Sequence, residues 1–395
     1  MNTESKNTNQ SGGFSRRQFL GKSILASALA GTWLTNGITS AKAEDKAENK
    51  PAEYKAPELS DKDAFSIVVI PDTQTYIKTA RNQGICELMT AWIAENIQKL
   101  NILTALHVGD LVERNGITEE DLETKIMDQI SSQQWNAISA AMSRLDGKLP
   151  YVACTGNHDY GIRASENRTT QFPTYFPAYR NTAWKGVLVE CCPNCFGVKT
   201  LENAAYEFTT KQGKKILVIS LQFAPADFAI EWAKKVVARE EYKDHFVIIL
   251  THSYLRSYLE DCKIGGKEGY KVTDVNYGED IWNKLIYPAD NIRMVICGHI
   301  AHPTNPKGNV GFRQSKNHAG KTVSQMLFDT QTVGGGWHGN GGDGWLRLLE
   351  FSPDLKTVKA KPSHHSSPFH PAPNTWPGAT KTTTNLNSRW ISTSS

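Results

Sequence analysis

An α/β fold is predicted from three observations. Five continuous apolar runs of strand length, at residues 65–70, 102–108, 151–154, 246–250 and 292–297, are bounded by polar residues or glycine and read as buried strands. Between them, apolar residues recur at three- and four-residue steps in Ile85, Leu88, Met89, Trp92, Ile93, Ile97 and Leu100, and again in Ile126, Ile130, Ile138, Met142 and Leu145, the spacing of helices with one buried face. Each apolar run also ends directly in a short polar segment. Alternating strands and helices build a sheet that binds ligands beyond the carboxyl ends of its strands, so the five polar segments can meet although they span over 200 residues.

Taken in chain order, the first element is not part of that sheet. Ser15-Arg16-Arg17-Gln18-Phe19-Leu20 precedes a mildly apolar stretch from Ile24 to Ile38, and Ala41-Lys42-Ala43 offers a small-residue cleavage site. Residues 1–43 thus resemble a twin-arginine export signal, which implies passage of the folded protein through the twin-arginine translocase to the periplasm or beyond. The apolar stretch falls short of the ~20 residues of a membrane span, so no stable membrane anchor is expected. Residues 44–62 are charged, carry Pro51 and Pro57 and lack periodicity, and read as a disordered linker. A single domain is expected over residues 63–362, with a long insertion at about 161–199, followed by a low-complexity tail over 363–395.

The polar segments carry the chemistry. They are Asp72-Thr73-Gln74, Gly109-Asp110, Gly156-Asn157-His158-Asp159, Thr251-His252 and Gly298-His299, with His302 following. Carboxylate oxygen, amide oxygen and neutral imidazole suit hard or borderline divalent cations such as Zn, Mn, Fe or Mg. Asp72, Gln74, Asp110, Asn157, His252, His299 and His302 suffice for two ions, and one carboxylate such as Asp110 can bridge them. Two bridged cations activate water and stabilise both oxygens of an in-line displacement, so hydrolysis of a phosphate ester is the expected chemistry. His107, inside an apolar run, reads as a satisfied core residue.

In order and strand context these segments resemble the calcineurin-like metallophosphoesterases over roughly residues 63 to 362. The family order is Asp-x-His, Gly-Asp, Gly-Asn-His-Asp/Glu, His and Gly-His-x-His. The resemblance implies two mixed β-sheets packed as a sandwich flanked by helices, with two metal ions at their ends. It makes Asp72 a ligand of the first metal, Asp110 the bridge, and Asn157, His252 and His299 ligands of the second. It makes His158 the group that protonates the leaving oxygen or holds the transition state, with Asp159 fixing its tautomer and raising its basicity. Two positions depart from the pattern, both at the first metal. Gln74 stands where His is usual, and Ala301 takes the second His position of the last motif, so His302, or failing it His318, is expected as the substitute. An amide oxygen is a weaker donor than imidazole, so a looser first site is expected. Glu113 occupies the place of the Tyr that purple acid phosphatases require three residues after the bridging Asp, which excludes that subclass.

Charge and cysteines bound the remaining readings. The whole chain carries a formal charge of +4, but residues 1–43 hold five basic and one acidic residue, and without them 39 of each remain. No basic field then draws the domain to nucleic acid, and a small phosphoester is the expected partner. Cys154 and Cys297 lie in strand runs and read as buried thiols; Cys191, Cys192 and Cys195 cluster in a loop and are expected to close a local disulfide, with Cys262 a candidate partner for the odd thiol. The insertion carries Arg163, Arg168, Phe172, Tyr175, Phe176, Tyr179, Arg180 and Trp184, read either as a rim that stacks a base and grips phosphate or as a small core of its own. The glycine-rich run 334–344 reads as a mobile loop before an edge or sheet-closing strand at 345–351. The function expected is an exported phosphoesterase that hydrolyses a phosphomonoester or phosphodiester through metal-activated hydroxide. Its alternatives are a nucleotide or nucleic-acid phosphodiesterase, which the neutral charge disfavours, and a non-catalytic binding protein with a degenerate metal site, which Gln74 and Ala301 motivate.

Overall fold

The computed structural model describes residues 57–120, 127–258, 261–364 and 382–385. The predicted export signal, most of the linker and most of the tail lie outside the described residues.

Among the described residues the strands are β1 (Phe65–Ile70), β2 (Ile102–His107), β3 (Tyr151–Ala153), β4 (Leu188–Pro193), β5 (Lys199–Thr209), β6 (Lys215–Ser220), β7 (Phe246–Leu250), β8 (Leu255–Tyr258), β9 (Asp261–Ile264), β10 (Ile292–Cys297), β11 (Val310–Lys316), β12 (Thr322–Phe328), β13 (Trp345–Phe351), β14 (Thr357–His364) and β15 (Thr382–Asn385). Two large mixed sheets result, ordered β15-β14-β13-β1-β2-β3 and β11-β12-β10-β7-β6-β5-β4, with β8 and β9 as a separate hairpin. In the first sheet β1, β2 and β3 run parallel. In the second, β6, β7, β10 and β12 run parallel. These seven strands carry the site at their carboxyl ends.

The continuous apolar runs follow from burial on both faces. In β7, Phe246, Ile248 and Leu250 join the core cluster that also holds Ile67, Val69 and Leu106 of the first sheet, while Val247 and Ile249 join a second cluster with Ile230, Ala233 and Val237 of the helix Asp227–Val237. A strand that is covered on both sides has no solvent face to mark with polar residues. The helices Ala80–Asn96 and Ser131–Ser143 add Met89, Trp92, Ile93, Trp135, Ile138 and Met142 to the first cluster. The arrangement is the expected sandwich of mixed sheets flanked by helices. No helix of the described residues is long and apolar enough to cross a membrane.

Several local expectations are corrected. Strand β13 is interior, because β1 pairs with it on one side and β14 on the other. The glycine-rich run is pinned rather than loose: Arg81 and Asn82 donate to the carbonyl of Gly339, Thr75 donates to that of Gly341, and Gly344 N–H donates to the Tyr76 hydroxyl. At the near end of the expected linker, Ser60 N–H donates to the Glu350 carboxylate. In the expected tail, β15 pairs with β14. No disulfide joins Cys191, Cys192 and Cys195, which are thiols. Cys191 and Cys192 are neighbours in β4 and so point to opposite faces, and Cys195 is exposed at the hairpin tip. The sulfur of Cys262 instead packs beside Gly311 in β11.

Candidate metal centre

The site is built where the parallel strands of both sheets end. The loop after β1 supplies Asp72 and Gln74, that after β2 Asp110, and that after β3 Asn157 and His158; β7, β10 and β12 supply His252, His299 and Asp329. Backbone bonds lock these loops together, since Thr73 and Gln74 N–H both donate to the Asp110 carbonyl and Gly298 N–H donates to that of His252. Asp110 and His299 hold positive φ angles of 50° and 75°. Such φ values are sparsely populated outside glycine and cluster at functional sites. Glycine at 156 and 298 has a packing reason: a Cβ there would collide with the carboxylate of Asp110 or of Asp72. The glycines beside the ligands therefore make room for ligands from other loops.

His252 lies at the centre and is fully buried. Its Nδ1–H donates to the Val108 carbonyl at 2.7 Å, which leaves the Nε2 lone pair facing the site. Around that atom stand Asp110 Oδ2, Asn157 Oδ1 and His299 Nδ1, each at 3.1 Å, with Asp72 Oδ2 at 4.0 Å. His299 is turned the same way, because its Nε2–H donates to the Glu268 carboxylate at 3.0 Å. In the neutral tautomers that these two bonds select, lone pairs converge on one point. Such a cradle needs a cation, and oxygen and imidazole donors suit a borderline divalent one. Among the described residues, Asp110, His252 and His299 place their ligand atoms within 4.8 Å of one another.

The electrostatics agree. Burial pushes the Asp72 carboxyl well above the ordinary carboxylate range, and the carboxylates of Asp329 and Asp110 push it further. Burial also raises Asp329, to about 6, against the hydrogen bond from Gln331 N–H. Asp110 goes the other way: burial opposes its charge, but the imidazoles of His252 and His158 outweigh that and hold it low. Burial opposes a charge on His252, yet Asp110 keeps its pKa above the ordinary imidazole value. Three carboxyl groups crowded out of water resist ionising together, and a cation among them would favour the charged form of each.

At the first metal position Gln74 fits as a ligand. Its Nε2 donates to Gln331 Oε1 at 2.8 Å, and its Oε1 is buried with no hydrogen-bond partner, free to accept a cation. His302 is not joined to the cluster. Its Nδ1 accepts from Thr304 and Asn305 N–H, and its own backbone N–H donates to Asn309, so Nδ1 is engaged by its own turn. His318 is remote as well, half-exposed and paired with Asp290 at 2.6 Å. One residue of slack after Ala301 does not return an imidazole to the site.

The roles of His158 and Asp159 also separate. Asp159 does not touch the His158 ring; its carboxylate accepts N–H groups from Gly156 at 2.7 Å, Val112 at 3.1 Å and Leu111 at 3.2 Å, tying the loops after β2 and β3 together. His158 Nδ1 lies 2.8 Å from the Glu113 carbonyl and 2.9 Å from Arg114 Nη1. Its Nε2 is left for substrate. The ring is oriented by its contacts to that carbonyl and guanidinium, not by Asp159. His107 is the expected core residue: Gly109 N–H donates to its Nδ1 and its Nε2–H bonds Thr73. Burial lowers its pKa to about 3, so it is neutral.

Three contributors were not among the expected residues. Glu268 orients His299, Asp329 adds the third buried carboxylate, and Phe223 walls the site with ring centroids 5.9 Å from His252 and 6.0 Å from His299. Of the insertion's arginines, Arg168 and Arg180 are structural. Arg168 donates to the carbonyls of Ala224 and Asp274, and Arg180 to Asp146 and Ser139. Phe172, Tyr175 and Trp184 pack on Trp135 and Tyr151, outside the insertion, and join the main core, so these three form neither a substrate rim nor a separate small core.

The family model of the calcineurin-like phosphoesterases matches residues 65–303, which contain every expected ligand. The chain belongs to that family. Members of the calcineurin-like phosphoesterase family are metal-dependent and use two ions, and the donor set described above fits that requirement. A curated relative, the uncharacterized protein YvnB of Bacillus subtilis (strain 168), is 27% identical over 291 residues, 73% of this chain and 19% of YvnB. The chain thus spans about a fifth of that relative's length. Among solved structures, a dimetal phosphatase from Danio rerio is similar with 10% identity and a TM-score of 0.42, over 75% of this chain and 95% of that one. GAP50, described as the anchor in the inner membrane complex of Plasmodium, has 12% identity and a TM-score of 0.42, over 83% of this chain and 90% of that one.

Proposed function

We propose that the protein is an exported phosphoesterase that hydrolyses a small phosphomonoester or phosphodiester. The observation that carries the reading is the convergence of Asp110 Oδ2, Asn157 Oδ1 and His299 Nδ1 on His252 Nε2, beside a His158 whose Nε2 is unengaged. Asp72, Gln74 and Asp110 would hold one ion, and Asp110, Asn157, His252 and His299 the other. Such ions supply Lewis-acid activation of water and neutralise charge on the phosphoryl oxygens. The remaining work falls to the chain's own groups. Nδ1–H of His158 donating to the Glu113 carbonyl orients the ring, and in its imidazolium form the Nε2 proton can pass to the leaving oxygen and leave a neutral imidazole. Phe223 shields the imidazoles from water, which strengthens the local electrostatics.

Export is supported by Arg16-Arg17 and the apolar stretch and small-residue site that follow, with the twin-arginine translocase as the transient partner and the periplasm or exterior as the destination. Folding before export would let metal enter in the cytoplasm. A small substrate is favoured over nucleic acid by the balanced charge of residues 44–395. The test is a panel of alkyl and aryl phosphomonoesters and diesters, assayed on full-length protein reconstituted with Mn, Fe, Zn or Mg and compared with Asp110→Asn. Turnover well above that variant is expected. Protein that holds two ions yet turns over nothing in the panel would instead be a binding protein on this fold.

A further inference from the structure

The sequence Asp-Thr-Gln occurs twice at the end of a buried parallel strand, as Asp72-Thr73-Gln74 after β1 and as Asp329-Thr330-Gln331 after β12. The two strands belong to different sheets, and the two glutamines meet amide to amide. The chain of bonds has a direction. Asp329 accepts Gln331 N–H on Oδ1 at 2.9 Å and Gln331 Nε2–H on Oδ2 at 3.0 Å. With its amide nitrogen turned to that carboxylate, Gln331 presents Oε1, which accepts Gln74 Nε2–H at 2.8 Å. Gln74 therefore keeps Oε1 as its outward atom, buried and without a donor. An amide can otherwise flip, presenting either its oxygen or its NH₂. Only the oxygen can hold a cation.

We infer that Asp329 and Gln331 are positioning residues for the first metal, a relay that fixes the Gln74 amide with its oxygen toward the ion. The inference rests on the proposed metalloenzyme reading of the site. It accounts for how this chain does without histidine at position 74: a neutral, reversible ligand is given one orientation by a carboxylate that can only accept. Outer groups of this kind usually contribute 10–100-fold to metal affinity. Replacing Asp329 by Asn removes the direction, because Asn can offer NH₂ to Gln331 and let both glutamines turn over. Histidine at 74 has no amide to orient and should make the relay irrelevant.

The test is calorimetric titration of metal-stripped, full-length protein with Mn²⁺, with bound metal counted after dialysis and folding checked by thermal melt. Asp329→Asn and Gln331→Met are each expected to weaken one of two sites by at least tenfold and leave the other unchanged. In a Gln74→His background the same substitutions should change either site by less than twofold. Full weakening by Asp329→Asn that persists with His at 74 would mean direct ligation by Asp329 and overturn the relay, as would unaltered affinity in both single variants. If Asp329→Asn does not fold, Gln331→Met, which keeps the volume and removes both polar ends, decides alone. Wild-type protein that binds two ions with unaffected variants refutes only the relay, whereas wild-type protein that binds none refutes the metalloenzyme reading with it.

Discussion

Glu268→Gln isolates the part of the site that no motif announces. Glu268 is nearly buried; it accepts the Nε2–H of His299 at 3.0 Å and a bond from the Ser253 hydroxyl, and it lies 3.7 Å from Arg256 Nη2. Burial pushes its carboxyl up, but His299, Ser253 and Arg256 pull it below the ordinary glutamate range, so it is ionised. The glutamine variant keeps the shape and an oxygen for His299, and loses only the charge. A hydrogen bond to a charged group contributes about 1.5–3 kcal/mol against about 0.5–1.5 for a neutral one, so the loss is about 1–1.5 kcal/mol. That is roughly tenfold in affinity at the ion held by His299, the low end of what outer carboxylates contribute to imidazole ligands. Competition of Mn²⁺ against a chelator measures it, with a thermal melt of the metal-stripped protein as the control for folding. Affinity within twofold of wild type at both sites would refute the claim that Glu268 sets the orientation and basicity of His299.

Three further outcomes are expected. His158→Ala should retain both metals and slow alkyl phosphoesters by about 10²–10⁴-fold while sparing nitrophenyl esters, whose leaving group needs little protonation; equal slowing of both ester types would remove the proton-donor role. Asp159→Asn should lower stability by about 2 kcal/mol, because an amide nitrogen replaces one of the two oxygens that accept the N–H groups of Gly156, Leu111 and Val112, and should show no dependence on leaving group, read by melts and the same ester pair. In the metal-stripped protein, burial raises Asp329 from 3.8 to about 6, so the folded state binds more protons across that window and loses stability as pH rises through it; melts between pH 4 and 7 should find wild type falling relative to Asp329→Asn, and a flat difference would refute the shift.

The strands that carry the ligands were legible because burial on both faces leaves runs such as Phe246–Leu250 with no polar interruption. The ligand segments were legible because each follows such a run at once. Strand β12 fails the same criterion: Ser324 and Gln325 interrupt it, since Gln314 bonds the hydroxyl of one and Tyr254 donates to the amide oxygen of the other. Asp329 was therefore missed, although the repeated Asp-Thr-Gln was a visible signal. Glu268 carries no signal at all. It lies in an irregular stretch after β9, and only the fold brings it to His299. The assignment of Asp159 to His158 erred for a related reason, because adjacency in sequence was read as contact, whereas a 3-10 turn at Asn157–Asp159 sends the two side chains to different partners.

The substitution at Ala301 looks different once the two sheets are seen to divide the site. Asp72, Gln74, Asp110 and Asn157 come from the first sheet, and His252, His299 and Asp329 from the second. A metal held between them crosslinks the carboxyl ends of both. The family pattern obtains the second sheet's share at the first ion from an imidazole on the loop after β10. In this chain Nδ1 of His302, on that loop, is bonded to its own turn, and the neighbouring strand β12 brings a carboxylate and an amide to Gln74. The contribution of the second sheet is thereby moved one strand over, from a direct ligand to a bond that steers Gln74. Two departures that look independent in sequence, Gln74 and Ala301, are then one rearrangement, and each makes physical sense only beside the other.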